Sequence, residues 1–476
     1  MPLNNFEYLL LMPQLIIAAG IIMSVVIEMT SKKSELILPW LSIAAFLSAA
    51  VYSVINMNQN FTLFGGMIEV GGKPALFNFL FNLGAALVVL SSVDYLKKYG
   101  TYYGEYYILL QSSVLGMMVM AGAKDILMIF MGLELMSICF YLLAGINRKK
   151  LSANEASMKY FLLGAFATGF IVYGISLIYG ATGSTSIQNI IENFSLYTSN
   201  IIFILGMVIF LIGFSFKIAA VPFHMWVPDV YQGSATTVAS LMSTTGKAGA
   251  FSVLLLVLSA ILNFNAVNIF SPYFAAIATL SMLLGSIVAI SQNNLKRMLA
   301  YSSISHAGYM AIGLAAGNSY SAAGIIFYLS AYTFMNIGAF TVISIVEGEN
   351  DSRTELNSFA GLNNKNPYLA ASMTLFMFAL AGIPPLAGFF GKYYVFVSAI
   401  QTNLTWLALV GVLSSVISVY FYIRVVVYIY FKDAVEDYKL SVSGLSLTAV
   451  VISALLVLVF GIFPDTLMNV ILSVLK

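Results

Sequence analysis

The sequence predicts an all-α polytopic membrane protein, and three observations carry that prediction. Hydrophobic residues make up 60% of the 476, against roughly 45–50% in soluble proteins. Charged residues make up 8%, against roughly 25%, too few to cover the surface of a soluble protein this large. The apolar residues also fall in long continuous runs, each near the ~20 residues that a membrane-crossing helix requires. Barrel strands would instead read as alternating segments of ~10 residues. A soluble enzyme, a disordered scaffold and a nucleic-acid binder are thereby excluded, and a net charge of +2 points to no electrostatic partner. A single cysteine, Cys139, excludes an internal disulfide, a Cys-ligated iron–sulfur cluster and a Cys-rich zinc site.

About fourteen spans are predicted: 9–29, 36–56, 75–95, 104–123, 125–146, 156–180, 200–227, 231–262, 270–293, 298–317, 320–346, 367–400, 404–431 and 442–471. The first has no basic leader and no A-x-A-like cleavage site, so it reads as a retained helix and not a signal peptide. Loops after odd-numbered spans hold Lys32, Lys33, Lys97, Lys98, Arg148, Lys149, Lys150, Lys296, Arg297, Arg353, Lys365, Lys432 and Lys439, whereas the opposite side holds only Lys73, Lys124 and Lys476. Basic residues are retained on the cytoplasmic side, so the odd loops are expected there and both termini on the outer, periplasmic side. The longest cytoplasmic loop, 347–366, carries Glu347, Glu349, Asp351 and Glu355 and reads as a solvated connection. With no long polar linker, residues 1–476 read as a single membrane domain.

The seventh and twelfth spans are overlong and contain proline. Lys217-Ile-Ala-Ala-Val-Pro222-Phe-His224 lies inside the seventh, and Leu380-Ala-Gly-Ile-Pro384-Pro385-Leu inside the twelfth. Proline has no N–H, so Pro222 leaves the Ile218 carbonyl without its helical partner, and Pro384 and Pro385 do the same to Leu380 and Ala381. Such breaks are tolerated in a membrane where protein or a watery cavity surrounds them. The two stretches resemble each other and lie five spans apart, an odd number that would invert a second copy. Paired interruptions in corresponding positions of two halves point to a transport site. Ordinary proline kinks are the plain alternative.

Four charges lie deep in the runs. Glu134 is near the middle of the fifth span and Lys247 near the middle of the eighth, while Lys217 and Lys392 flank the two breaks. A charge at the bilayer centre costs about 2.5–3.5 kcal/mol on insertion scales, so each is a functional candidate, the plain alternative being an ion pair that only locks helices. Thr236, Ser240, Ser243 and Lys247 follow helical spacing, as do Glu134, Ser137 and Tyr141, and Ser302, Ser305, His306 and Tyr309 share a side. Hydroxyls and waters on such faces can relay protons. Glu134 and Lys217 are the expected coupled pair, which requires the fifth and seventh spans to touch. Lys159 reads either as a channel residue or as a snorkelling anchor, and Arg424 as an anchor. Asp229 reads as a proton entrance or a solvated helix end. His306 is a relay candidate, because imidazole titrates near neutrality. His224 follows the first break, and a bis-histidine haem has nothing else in its favour. No G-x-G-x-x-G, P-loop or cysteine set is present, so no pattern for binding NADH, flavin, ATP or a cluster is readable and no metal site is expected.

Several stretches carry a family resemblance. Lys159-Tyr-Phe-Leu-Leu-Gly-Ala, Pro222-Phe-His-Met-Trp-Val-Pro-Asp229-Val-Tyr-Gln-Gly, Asn294-Leu-Lys-Arg-Met-Leu-Ala-Tyr-Ser-Ser-Ile-Ser-His306-Ala-Gly-Tyr and Gly382-Ile-Pro-Pro-Leu-Ala-Gly-Phe-Phe-Gly-Lys392 closely resemble the subunit N family of bacterial proton-pumping NADH-quinone oxidoreductases (respiratory complex I), over essentially the whole chain. The P-F-H-x-W-x-P-D and K-R-x-L-A-Y-S-S patterns are shared with the wider antiporter-like family, which includes subunits of cation/proton antiporters and membrane-bound hydrogenases. Lys392 and the Ser243-Thr-Thr-Gly-Lys247-Ala context favour subunit N. The resemblance implies fourteen helices with inverted five-helix repeats in spans 4–8 and 9–13. It places three N-terminal helices at 1–100, the repeats at 101–265 and 266–432, and a final helix at 433–476. It implies proton translocation along Glu134, Lys217, Lys247 and Lys392. It also implies FMN, iron–sulfur clusters and quinone in partner subunits and none in this chain, neighbouring antiporter-like and small membrane subunits as partners, a peripheral redox arm reached through them, and the bacterial inner membrane as location. An antiporter subunit, a hydrogenase subunit and a non-transporting structural subunit are the rival readings. Lys217 precedes its proline while Lys392 follows its own, so the two lysines are not equated.

Overall fold

The computed structural model describes residues 9–98, 103–262, 267–348, 352–434, 438 and 440–475. Glu349, Asp351, Lys439 and Lys476 lie outside the described residues, as do the proposed boundaries near 100 and 265. Ten helices among the described residues are long and apolar enough to cross a membrane. In chain order the main helices are α1 (Met12–Thr30), α2 (Ser34–Ile55), α3 (Gly72–Lys98), α4 (Glu105–Gly122), α5 (Ile126–Ala144), α6 (Leu151–Thr182), α7a (Ile201–Lys217), α7b (Trp226–Gly233), α8 (Thr236–Leu241 continuing through Lys247–Leu262), α9 (Val267–Ile290), α10 (Leu295–Ala316), α11 (Ser319–Val346), α12a (Pro367–Ala381), α12b (Ala387–Gln401), α13 (Thr405–Phe431), α14 (Gly444–Ile462) and α15 (Pro464–Leu475).

The four predicted runs outside those ten have physical reasons to differ. The seventh and twelfth are each two shorter helices, and α4 and α10 carry polar residues that neighbouring helices cover. In α4, Gln111 is buried and donates to Ser24 of α1 at 3.0 Å and Ser42 of α2 at 2.8 Å. The pattern is that of a protein whose solvent is hydrocarbon: in α1, Gly20 and Ser24 are buried while Ile22, Met23 and Val26 face outward. Without water to exclude between apolar helices, close packing and interhelical hydrogen bonds hold the bundle. Helix α11 is buried along its whole apolar length. It stands against α3, α8, α10, α12a, α12b and α14 and forms the central post.

Side-chain caps fix many starts. Asp125 accepts from the Leu127 N–H, Asn294 from Arg297 and Ser443 from Ser446, which satisfies donors that a helix N-terminus leaves open. Asn318 and Ser321 form a reciprocal capping box at α11.

Three expectations need correction. The chain is not wholly helical: β1 (Asn60–Leu63) pairs antiparallel with β2 (Ile68–Gly71). The turn between them uses positive φ at Phe64, Gly65 and Gly66, which two consecutive glycines permit. The last predicted run, 442–471, is interrupted at Phe463, and Pro464 starts a separate helix, as a proline with fixed φ readily does. The loop 347–366 is not simply a solvated connection, because Leu356, Phe359 and Leu362 are buried within short helical turns.

Candidate functional site

The break in the seventh span is wider than the single lost hydrogen bond the proline predicts. Helix α7a stops at Lys217, Ala219 takes a positive φ of 65°, and the Val221–Pro222 peptide is cis. The end carbonyls are not abandoned. Ile218 N–H bonds to Phe214, Ala220 N–H to Ser215, and both Ala219 N–H and the Trp226 indole to Phe216. Val221 N–H donates to Ser281 Oγ of α9 at 2.9 Å, so the break is sealed by the opposite half of the chain.

Lys217 is the last residue of α7a and is buried. Its Nζ donates to Ser137 Oγ at 2.9 Å and to Tyr141 OH at 3.3 Å, both on α5. The required contact between the fifth and seventh spans therefore exists at side-chain level. The expected direct pair does not form: among the described residues no salt bridge or hydrogen bond joins Lys217 to Glu134, whose Oε1 instead accepts from Thr168 Oγ1 of α6 at 2.8 Å. Ser137 and Tyr141 lie three and seven residues beyond Glu134 on one helix face, and they hold the ammonium in place of the carboxylate. Glu134 is half-buried, beside the outward-facing Met131 and Ile138.

The second break carries the other terminal lysine. Gly382 ends α12a with φ +88°, a left-handed conformation natural for glycine at a helix end, and the Pro384–Pro385 peptide is cis. Lys392, on α12b, reaches back to donate to the Ala381 carbonyl at 2.8 Å and to Ser415 Oγ of α13 at 2.8 Å. Its Nζ also lies 4.9 Å from the centre of the Tyr309 ring. In sequence the two lysines sit on opposite sides of their prolines. In space Lys217 stands in the last turn of the half-helix before its break, and the Lys392 ammonium reaches the last carbonyl of the half-helix before its own, so both lysines lie at the negative end of a helix dipole, where a cation is favoured.

Lys247 lies between these ends. The preceding turn, Met242–Gly246, is a π-helix, a local widening frequent at functional sites. It breaks the regular spacing expected from Ser243 to Lys247. Ser243 consequently faces Asn336 of α11, which donates to it at 2.9 Å, while Lys247 Nζ donates to Ser303 Oγ of α10 at 2.6 Å and to the Ser303 carbonyl. Between Lys247 and Lys392 stands His306, fully buried. Its Nδ1 is 2.9 Å from Tyr328 OH and its Nε2 3.1 Å from Tyr422 OH. The Tyr332 ring lies on one side of it and the Tyr309 ring on another, and Lys247 faces the Tyr332 ring at 5.7 Å. Ser303, Ser415, Asn336, Tyr328, Tyr332 and Tyr422 did not stand out in sequence, because serines and tyrosines are common in membrane helices for plain packing reasons.

The remaining candidates lie apart from this row. Lys159, read in sequence as a channel residue or a snorkelling anchor, bridges Glu155 at 2.7 Å and Asp229 at 2.8 Å. Asp229 is not merely solvated, since Arg297 holds its other oxygen at 2.7 Å. Glu155, Lys159 and Asp229 line a polar cleft of about 500 Å³. At its edge, burial and then the Lys296 charge push the Lys150 ammonium down to about 8, with Glu347 opposing. His224 stays within its own break, half-buried, with Nδ1 unpartnered among the described residues. Arg424, read in sequence as an anchor, ties α13 to the end of α9, since its guanidinium donates to the carbonyls of Ile290, at 2.8 Å, and Gln292.

Sequence reasoning missed one charged site outright. Lys296 and Glu347 are both fully buried, with Nζ 3.7 Å from Oε1. Lys296 donates to the Ser234 carbonyl at 2.7 Å, and Glu347 accepts from Thr236 Oγ1. The available signal was positional: Lys296 precedes Ser303 by seven residues and so continues its face of α10 inward.

A family model described as NADH:quinone oxidoreductase/Mrp antiporter, TM, matches residues 123–418. The NADH-quinone oxidoreductase subunit N of Trichlorobacter lovleyi is 43% identical over 467 residues, covering 96% of this chain and 95% of that protein. Subunit N 1 of Chloroherpeton thalassium is 42% identical, covering 97% of each. Among solved structures, a chain of respiratory complex I from Thermus thermophilus with bound aureothin superposes with a TM-score of 0.83 at 30% identity, covering 96% of this chain and 98% of that one. A chain of the Mrp complex from Dietzia sp. superposes with a TM-score of 0.87 at 17% identity, covering 98% and 97%, which is a likeness of fold.

Proposed function

The chain belongs to the NADH:quinone oxidoreductase/Mrp antiporter transmembrane family, and within it to the subunit N proteins of NADH-quinone oxidoreductases; from that membership we propose that it is a proton-translocating membrane subunit of such an enzyme. NADH oxidation and quinone reduction take place on partner subunits that hold FMN, iron–sulfur clusters and quinone, and this chain has no redox site of its own. It lies in the bacterial inner membrane as fourteen spans, with both termini outside and the basic loops in the cytoplasm. Spans four to eight and nine to thirteen are inverted repeats. Other antiporter-like and small membrane subunits are its neighbours, and the redox arm acts through them.

The observation that carries this reading is the placement of Lys217, Lys247 and Lys392. All three are buried, and among the described residues each is held by hydroxyls or carbonyls and not by a contact carboxylate. An ammonium paired directly with a carboxylate is locked in its charged form, whereas one held only by neutral groups can release its proton and still leave those groups satisfied. Glu134 biases the first lysine from a distance, and His306 links the second to the third through hydroxyls and rings. A proton arriving at one lysine raises the cost of charge on the next, so the row can pass protons stepwise under control of Glu134. Lys159, Asp229 and His224 take lesser parts near the first break.

The test is the proton-to-electron ratio of the assembled enzyme in proteoliposomes. Lys217→Ala is expected to lower it while NADH-quinone reductase subunits still co-purify. An unchanged ratio in the assembled variant would remove the lysine row. A chain that co-purifies only with small membrane proteins and exchanges cations for protons without NADH would favour the antiporter reading, which the Mrp-like fold allows.

A further inference from the structure

A polar cavity of about 390 Å³ enters the protein at the end that carries the basic loops. Asp94, Lys97, Lys98, Ser344, Ser441 and Ser443 are among its lining residues, with Lys97 and Ser441 exposed at its rim. Its inner wall ends at Lys98, which donates to the carbonyls of Ile345 and Glu347. Behind that wall is the buried Lys296–Glu347 pair. Glu347 in turn binds Thr236, the first residue of α8, the helix that carries Lys247 about three turns further in.

The polar atoms along this line share a property. Glu347 Oε1, Ser234 Oγ, Ser240 Oγ and Asn336 Oδ1 are all buried, and none has a hydrogen-bond partner among the described residues; Asp94 Oδ2 in the cavity is alike. A buried polar atom left unpaired costs about 1–3 kcal/mol, and more where hydrocarbon surrounds the protein. Scattered singly, such atoms would mean little. Here they form a series with the paired groups: Glu347 to Thr236, then Ser240, then Ser243, which Asn336 joins to Tyr332 at 2.9 Å, whose ring faces Lys247. Polar sites with several unmet partners are where buried water resides.

We propose that Glu347 is the proton-loading carboxyl of a hydrated entry path from this cavity to Lys247, running along Thr236, Ser240, Ser243 and Asn336, with Lys296 as its counter-charge. The inference rests on the proton-translocation reading and assigns it an entrance. The carboxylate of Glu347 takes a proton from cavity water. The neutral carboxyl then gives it up to a chain of waters and hydroxyls, each accepting one proton and donating another, and the last donates to the lone pair of neutral Lys247 Nζ. Glu347 returns to the carboxylate, Lys247 becomes the ammonium, and Lys296 stays charged throughout. One proton moves inward and no bond between heavy atoms changes. Lys296 makes the empty carboxylate tolerable in the interior. Its separation of 3.7 Å from Oε1 leaves that oxygen open to receive a proton. The Asp229 carboxylate offers no such opening, since Lys159 and Arg297 hold both of its oxygens at hydrogen-bond distance.

The experiment uses the assembled enzyme in proteoliposomes, with NADH-driven proton movement and NADH-quinone turnover read together. Glu347→Gln is expected to slow proton movement about tenfold, the low end of what removing an acid–base group costs, and Glu347→Asp to restore part of it. Because Glu347→Gln disturbs a buried pair and can weaken assembly, Thr236→Val and Ser240→Ala serve as second variants; both leave the pair in place and are expected to slow proton movement severalfold. Independently, Ser344→Cys in a Cys139→Ala background is treated with a membrane-impermeant thiol reagent from the basic-loop side. Modification is expected, with loss of pumping as the cavity is plugged. The proposal is overturned if Ser344→Cys is unreactive, if its modification leaves pumping intact, or if the assembled Glu347 and Ser240 variants pump normally while Lys217→Ala does not. If Lys217→Ala also pumps normally, the translocation reading itself fails and the entrance with it.

Discussion

The two broken helices solve one structural problem with different electrostatics. At the first, the lysine belongs to the half-helix that ends and lies against the hydroxyls of Ser137 and Tyr141 on α5, the helix that also carries the half-buried Glu134. At the second, the lysine belongs to the half-helix that begins, reaches back across the break, and has a carbonyl, a hydroxyl and a ring as its partners among the described residues. The first lysine can therefore be controlled by an acid at the outer face of the chain, and the second answers only to neutral groups and to other cations. A lysine is placed at a helix C-terminus in both cases, which is a stable position for a cation, so the difference lies in what can change its charge.

The largest expected effect comes from deleting the ammoniums. Lys217→Ala and Lys392→Ala should each lower NADH-driven proton transport about tenfold or more, with the enzyme still assembled. Equal losses would show that both ends serve one path, and a loss at one alone would break the symmetry of the comparison. Glu134→Gln comes next. It removes the acid that distinguishes the first end, and roughly a severalfold loss is expected in the same assay, within the 0.5–3 kcal/mol range of coupled neighbours. A normal rate would make the two ends electrostatically alike. Ser415→Ala at the second end should cost less, about twofold, because the Ala381 carbonyl still holds Lys392 and one neutral hydrogen bond contributes only about 1 kcal/mol. Arg424→Ala should leave proton transport per assembled enzyme unchanged. It strands the carbonyls of Ile290 and Gln292, so a lower Tm in detergent is expected, of the order of 1–3 kcal/mol for an unmet buried group. A pumping defect as large as that of Lys217→Ala would place Arg424 in the path.

Arg424 and Glu347 show how far the sequence could be read. A lone arginine near a span end is legible as an anchor because a cation there has few other uses. Glu347 was hidden because it sits among loop acids, and nothing in a polar stretch says which of its carboxylates folds inward. Lys159 and Asp229 were visible individually but not as partners, since 70 residues separate them. The resemblance to subunit N was legible for the opposite reason: motifs around breaks and buried charges are contiguous in sequence.

By itself the sequence determined the membrane class, most of the helices, the two breaks and the four charges set within the apolar runs. Each of these follows from local physics: transfer free energy, the missing proline N–H and the cost of burying an ion. Only the tertiary structure decided the rest. It gave Glu134 to Thr168 and Lys217 to Ser137 and Tyr141, widened α8 just before Lys247, set His306 between Tyr328 and Tyr422, and brought Lys217 and Lys392 to helix ends from opposite sides of their prolines. It also buried Lys296 against Glu347. Such placements depend on which helices become neighbours, and in a chain whose every helix is apolar the pattern of hydrophobicity does not say which face meets which.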